Sequence, residues 1–319
     1  MSAPVVVAEI VRSGVIEGHH YGSLVALSAD AEVDWSVGMA DEPVFPRSCN
    51  KPVQALGMVR AGLDLPPDLL ALSCASHSGE PFHIEGVRRI LAGAGLDESA
   101  LQTPPDYPLD DAAKEEVIRG GGSKTPVLMN CSGKHASMLA TCVVNGWDTG
   151  NYLDVDHPLQ VALAETFAEL TGEKVAHVAT DGCGAPLLST SLVGLARAFR
   201  TLSVATDGPE ARIAEAIRKH PENVSGTNRD ELALLRAIPG AIGKAGAESC
   251  YAVALPDGRT FALKCDDGAA RVRPVLMAEA LRRAGVVSEP GIDGDAVAKT
   301  GELPLFGGGQ QVGEIRAVF

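Results

Sequence analysis

The strongest constraint in this sequence is the placement of its β-branched segments. VVVAEIV (5–11), SLVALS (23–28) and EVDWSVG (32–38) crowd the beginning, and SCYAVAL, TFALKCD and QVGEIRAVF crowd the end. Between them the apolar spacing turns helical, over roughly 52–62, 83–95, 134–145, 157–171, 187–200, 209–219 and 229–237. Period-two and 3.6-residue patterns bury different faces, so the two kinds of segment read as strands and helices. A doubly wound nucleotide binder needs strands and helices in alternation, and this chain has none. The order predicts an α+β fold. A mostly antiparallel sheet is built from both chain ends and flanked by helices, with a helical region between.

Local signals sharpen this reading. SADA between the second and third strands marks a hairpin, and PDGR marks a late turn. Asp156 is placed to cap the helix that begins near Pro158. Gly146, Gly172 and Gly285 are placed to end helices, the last of them 275–284. The segment 102–127 reads as the most loop-like. Its triple glycine lacks the GK[ST] that a phosphate loop requires. No repeat or low-complexity linker divides the 319 residues, so the chain reads as a single domain, 1–319.

Charge and cysteine usage narrow the function classes. The formal net charge of −14 disfavours nucleic acid and anionic membrane as partners. No apolar run approaches the roughly 18 residues of a spanning helix. The opening apolar patch is broken by Glu9 and has no basic flank, so it does not read as a signal peptide. A cytoplasmic protein is expected. Seven cysteines without a secretion signal argue against a disulfide framework.

The chemistry begins in FPRSCNKPVQALGMVRAG (45–62), where Ser48 stands three residues before Lys51 and Pro52 follows. Proline fits the first turn of a helix, and positions i and i+3 face one another there. Helix start, hydroxyl and amine therefore coincide. A neutral lysine can take the serine proton and make the oxygen nucleophilic. Such a spacing alone is common, and a surface serine beside a surface lysine is its bland reading.

Four other segments add weight. LALSCASHSGEP (70–81) carries small polar residues after an apolar run. MNCSGKHASML (129–139) puts Cys131 three before Lys134 at a helix start. VATDGCGAP (178–186) sets Asp181 and Cys183 among glycines. FALKCDDG (261–268) holds Lys264 inside an apolar strand. A lysine in such a strand needs a reason. Cys131 and Cys183 suit a soft metal such as zinc, but two thiolates leave a site incomplete, and Lys134 is the nearest further donor. The bland reading of the thiols is that they are buried apolar groups.

Taken together, RSCNKP, CASHSGEP, NCSGKH, TDGCGAP and LKCDDG resemble the L-asparaginase II family, the Rhizobium-type asparaginases. IEGHH (16–20) and KHPENVSG (219–226) fit the same family, and the likeness covers most of the chain. It implies a fold similar to serine β-lactamases and glutaminases. It also implies an amidohydrolase that converts L-asparagine to L-aspartate and ammonia. At matching positions it implies two Ser–Lys pairs, Ser48 with Lys51 and Ser76 with Lys264. It implies zinc on Cys131, Lys134 and Cys183, completed by water, with Asp181 beside it. Arg47, just before the first serine, is read either as structural support or as a substrate contact. A homodimer is implied by the resemblance alone.

Cys49 and Asn50 fill the middle of the S-x-x-K element, where smaller residues would crowd less. His20, His77, His83 and His135 read as hydrogen-bonding supports rather than ligands. Three matters stay open at this level: asparagine against glutamine, which serine attacks, and what zinc does. The competing readings are a glutaminase or another serine amidase of the same fold, and a non-enzymatic zinc-binding protein.

Overall fold

The computed structural model describes residues 5–319. The first four, part of the stretch weighed above as a leader, lie outside the described residues. In chain order the structure opens with β1 (Val5–Arg12), β2 (Val15–Leu27) and β3 (Val33–Val37). Helices follow: α1 (Lys51–Arg60), α2 (Pro67–Ser73), α3 (Pro81–Gly93), α4 (Asp111–Arg119), α5 (Ser132–Asn145) and α6 (Pro158–Thr171). A short hairpin, β4 (Val178–Thr180) and β5 (Pro186–Leu188), precedes α7 (Leu192–Val204), α8 (Gly208–Lys219), α9 (Pro221–Val224) and α10 (Asp230–Ala237). The chain closes with β6 (Ile242–Gly246), β7 (Cys250–Ala254), β8 (Thr260–Cys265), α11 (Val272–Arg283), α12 (Gly294–Thr300), β9 (Leu303–Gly307) and β10 (Gln310–Ala317).

The chain divides into two compact units. A sheet unit takes residues 1–49, 190–204 and 233–319, and a helical unit takes 50–189 and 205–232. In the sheet unit the strands run in the order β6-β7-β8-β2-β1-β10-β9, with β3 also on β2. Every pairing is antiparallel, and β2 joins the chain's two ends by pairing Gly22 with Cys265 and Leu27 with Thr260. The α+β expectation therefore holds, down to the hairpin around SADA. Helices α7 and α11 pack on the sheet. Every residue of β6 and β7 is buried, which accounts for a pattern that is apolar apart from Lys244, whose Nζ donates to Ala245 O at 2.7 Å.

The helical unit is organised around α2 and α5. Helix α5 packs on α1, α2, α3 and α6, and its residues 132–142 are buried without interruption. Such a helix cannot be amphipathic, and its polar side chains must find partners inside. Gly146 and Gly172 end α5 and α6 in the left-handed conformation, as their sequence positions indicated.

Four expectations change. The loop expected over 102–127 contains α4, capped by Asp110 Oδ1 accepting from Ala113 N at 2.9 Å. The helix expected from 187 begins at Leu192, because Pro186–Leu188 pair with β4 and Ser191 Oγ then accepts from Gly194 N. The N-cap of α6 is His157, whose Nδ1 accepts from Leu159 N at 3.1 Å, rather than Asp156. The short elements α2, α12 and β9 also form, below the length at which periodicity can be read.

Candidate active site

The opening serine–lysine stretch forms a 3₁₀ turn, Arg47–Asn50, that runs straight into α1. Pro52 sits in the first helical turn, where its missing N–H costs nothing. Arg47 has a φ of +51°, a left-handed conformation that strains a non-glycine residue immediately before Ser48. Ser48 is 9 % exposed. Around it, within the sheet unit, Cys49 Sγ donates to Lys244 O at 3.0 Å, and Arg47 Nη1 lies 3.5 Å from Glu248 Oε1. Glu248 and Ser249 also have positive φ, so the β6–β7 turn stores strain as well. Lys264, on β8 opposite Ser23 and Cys250, donates to Cys265 O at 2.5 Å.

The helical unit holds the densest set of reactive groups. Lys51, the first residue of α1, is 1 % exposed. Its Nζ lies within hydrogen-bonding distance of three groups: Ala75 O at 2.5 Å, Ser76 Oγ at 2.9 Å and Cys131 Sγ at 3.0 Å. The structure thus joins Lys51 to Ser76, the serine expected in the second pair. The segment carrying Ser76 follows α2 and is fixed on both sides by backbone bonds. Ser76 N donates to Val224 O, His77 N to Asn130 O and Ser78 N to Ser225 O. Its backbone groups are thereby satisfied without secondary structure of its own.

Cys131 occupies the N-cap position of α5, and Lys134 lies in that helix's first turn. Lys134 Nζ reaches Cys183 Sγ at 3.2 Å. Cys183 sits in the β4–β5 loop, which closes through Asp181 N to Ala185 O and Gly184 N to Asp181 O. Asp181 Oδ2 lies 3.6 Å from the Cys183 sulfur. Met129, Cys131, Cys183 and Ala185 form one buried cluster, with Leu153 against it.

Electrostatics splits the two thiols. The hydrogen bond that Cys131 gives to Cys183, with burial, pushes the Cys131 thiol well above its usual range. The same bond, reinforced against burial by Lys134 and His135, holds Cys183 far below it, as a thiolate. Burial alone would lower the Lys134 amine, but Cys183, Cys131 and Asp181 outweigh it and the amine is raised.

This donor set suits a soft divalent cation. Two sulfurs and one amine converge in a buried space, and the cation would replace the Lys134 proton that the thiolate now holds. The fit depends on the lysine: among the described residues no three His, Cys, Asp or Glu side chains are arranged to bind a metal. Three protein donors leave a fourth position of a tetrahedron open.

Several supporting residues carry no motif. Ala75 contributes only a carbonyl. His77 Nε2 bonds Ser132 Oγ at 2.8 Å, and Ser132 Oγ in turn donates to Val127 O at 2.7 Å. Tyr152, whose hydroxyl lies 2.8 Å from His135 Nδ1, stands in NYLDV, a stretch with no pattern to betray it.

The family follows from the whole chain: residues 8–317 match the L-asparaginase II family model, and the protein belongs to that family. By family it is an amidohydrolase with a small-molecule substrate. No curated protein matches the chain. Among solved structures, a β-lactamase from Mycobacterium bovis is similar at 13 % identity, over 82 % of this chain and 94 % of that one, with a TM-score of 0.38. EstCE1, described as a hydrolase with promiscuous acyltransferase activity, is similar at 12 % identity over 76 % and 87 %, with a TM-score of 0.41. Superpositions this loose carry no functional argument. Among the described residues no helix is long and apolar enough to cross a membrane.

Proposed function

We propose that this amidohydrolase converts L-asparagine to L-aspartate and ammonia through a serine ester. The observation that carries the reading is the buried bond between Lys51 Nζ and Ser76 Oγ at 2.9 Å. A lysine amine held on a serine hydroxyl, inside the protein, is a ready path for a proton. In this reading the enzyme is a cytoplasmic homodimer acting on a free amino acid amide, with neither nucleic acid nor membrane as partner.

Ser48 is assigned as the nucleophile, on two grounds. It follows a strained residue at a helix start, where backbone N–H groups without intrahelical partners can hold an oxyanion. Ser76, by contrast, follows the C-terminal end of α2 and is already engaged by Lys51. Ser48 Oγ attacks the side-chain amide carbon, and its proton passes to Lys51. Collapse of the tetrahedral intermediate breaks the C–N bond, and the proton leaves with ammonia. Water then adds to the ester, and the serine recovers its proton as aspartate departs. Ser76 and Lys264 relay protons. Arg47 and Asp181 hold the α-carboxylate and α-amino groups. Zinc, where bound, would be held by Cys131, Lys134 and Cys183, and it supplies a fixed positive charge for substrate polarisation.

The test is ammonia release from L-asparagine and from L-glutamine by the purified protein, by Ser48→Ala and by Lys51→Met. Wild type should favour asparagine. Ser48→Ala should fall to background, and Lys51→Met should lose about 10²- to 10⁴-fold in kcat. Near-wild-type turnover by Ser48→Ala removes the nucleophile assignment and passes it to Ser76. Absence of release from either amide removes the asparaginase reading.

A further inference from the structure

The β6–β7 hairpin is closed by a turn that its sequence does not favour. Cys250 N donates to Ala247 O at 3.4 Å, and the two residues between them, Glu248 and Ser249, both have a φ of +54°. A turn with both central residues in the left-handed region is normally made by Asn-Gly or Asp-Gly. Glutamate and serine are strained there, and such strain persists only where the surroundings hold the residue in place.

The surroundings hold the Glu248 carboxylate on two sides. Its Oε1 lies 3.5 Å from Arg47 Nη1. Its Oε2 lies over Gly268, where an added Cβ would collide with that oxygen and come within 3.3 Å of the Glu248 Cα. Gly268, at a φ of +70°, ends the turn after β8, its N–H donating to Cys265 O at 3.4 Å. That turn is clamped from β2. The buried His20 gives its Nδ1–H to Asp267 Oδ2 at 2.5 Å, since an ionised carboxylate only accepts. Ala269 N donates to Asp267 Oδ1 at 3.0 Å, and Asp266 N to Tyr21 O at 2.9 Å. All these residues belong to the sheet unit. The Arg47–Glu248 pair is too exposed to add much stability, and the turn that presents Glu248 is strained. Stability therefore explains neither.

We infer that Glu248 is a positioning residue for Arg47: seated on Gly268 of a turn that His20 clamps through Asp267, it holds the Arg47 guanidinium in the orientation that receives the substrate's α-carboxylate. A guanidinium is a planar fork of five N–H donors. One carboxylate on Nη1 fixes the plane and leaves donors for a second carboxylate. The use of Arg47 on substrate rests on the function proposed above, and the holding of Arg47 by Glu248 does not.

The experiment reads the two separately. Protein labelled with ¹⁵N-arginine shows the Nε–H resonances, and Arg47→Lys identifies the one from residue 47. In wild type it should be sharp and set apart from the free side-chain position. Glu248→Gly should move it to the free position, while thermal stability holds or rises because glycine relieves the left-handed turn. Glu248→Gln keeps an acceptor and should retain the signal in part. His20→Ala should also release it, and His20→Asn, which keeps an N–H where Nδ1 stood, should restore it in part. Ammonia release then tests the use of Arg47. Glu248→Gly should raise KM for L-asparagine about tenfold, with kcat much less affected. A gain in stability with a weakened KM is a pair of changes that a purely structural role would not produce. An Arg47 signal unmoved in Glu248→Gly overturns the inference, and so does a loss confined to kcat. If the signal moves as expected but Arg47→Lys keeps the wild-type KM, Glu248 still positions Arg47 and the carboxylate role proposed for Arg47 fails. If wild type releases no ammonia, the Arg47 signal alone decides the role of Glu248.

Discussion

The two units differ in what is unusual about them: strained backbone in one, a buried polar network in the other. In the sheet unit the ion pairs lie outside: Arg12 with Glu17, Arg316 with Glu9, Arg282 with Glu279. Its unusual feature is backbone strain, at Arg47, Glu248 and Ser249. In the helical unit no described non-glycine residue has a positive φ, and beside exposed pairs such as Arg88 with Glu98 a polar network lies inside. Helix α5 alone buries Ser132, Lys134, His135, Ser137 and Thr141. Serine and threonine there bond back along the helix, as Ser137 Oγ does to Gly133 O, or across it, as Ser73 does to Ser137 at 2.6 Å. Exposed pairs contribute little to stability, and buried networks are costly unless every member is satisfied. One unit therefore supplies a strained turn and the other a desolvated network, and each departs from what stability alone would select.

The largest expected effect tests the buried polarity of the helical unit. His77 and His83 stack at 5.2 Å with both rings enclosed. Burial lowers His77 well below the usual imidazole range and brings His83 from 6.5 to about 4. Above pH 6.5 the ring is neutral in both folded and unfolded chains, and its contribution is fully present. As pH falls from 6.5 toward 4 the unfolded chain takes the proton first, so stability declines, and below 4 this group adds no further loss. For His83 the full loss is roughly 3 kcal/mol. Trp147 belongs to the helical unit and Trp35 to the sheet unit, so Trp35→Phe leaves a reporter for the helices. Urea unfolding followed by Trp147 should show a steep loss between pH 7 and 4.5 that His83→Leu flattens. Equal slopes in the two proteins would break the comparison.

A smaller effect tests the strained turn. At Gly246, the last residue of β6, an added Cβ would sit 2.8 Å from Pro46 O and 3.2 Å from both Cys49 N and Cys49 Sγ. Two of these atoms are backbone of the turn that carries Ser48, and they cannot swing away. Gly246→Ala should cost about 1–3 kcal/mol, as overpacking does. Ammonia release per folded molecule should also drop, because relief of the clash displaces the serine turn. Full specific activity with lowered stability would show that the hairpin supports the fold and not the site.

The sequence made the sheet unit more legible than the site. Strands at both chain ends, with turn chemistry at SADA and PDGR, leave few ways to pair, so antiparallel topology was readable from order alone. Lys51 and Cys131 were readable as reactive groups because they stand at helix starts. That Lys51 reaches Ser76 was not, since the contact spans 25 residues and depends on how the segment after α2 is held by Val224, Asn130 and Ser225. Tyr152 was invisible for the same reason: a lone tyrosine in a loop acquires meaning only from what its hydroxyl meets. Periodicity records which face of an element is buried, and carries nothing about which side chain from elsewhere completes it.

The smallest expected effect concerns a cap, and it separates local from tertiary information within the helical unit. Both Asp156 and His157 precede Pro158, and composition favours the aspartate as the N-cap. The structure gives the role to His157, whose Nδ1 accepts from Leu159 N at 3.1 Å while Nε2 lies 3.0 Å from Asp148 O. A histidine performs both tasks at once, accepting on one nitrogen and donating from the other, where a carboxylate could only accept. Trp147 meets the same ring edge-on at 6.2 Å, which fixes its plane. His157→Ala should therefore lower stability by about 1 kcal/mol, and Asp156→Ala should stay within about 0.5 kcal/mol of wild type. Urea midpoints read on Trp147 check both. The reverse order would return the cap to Asp156 and make the local rule sufficient.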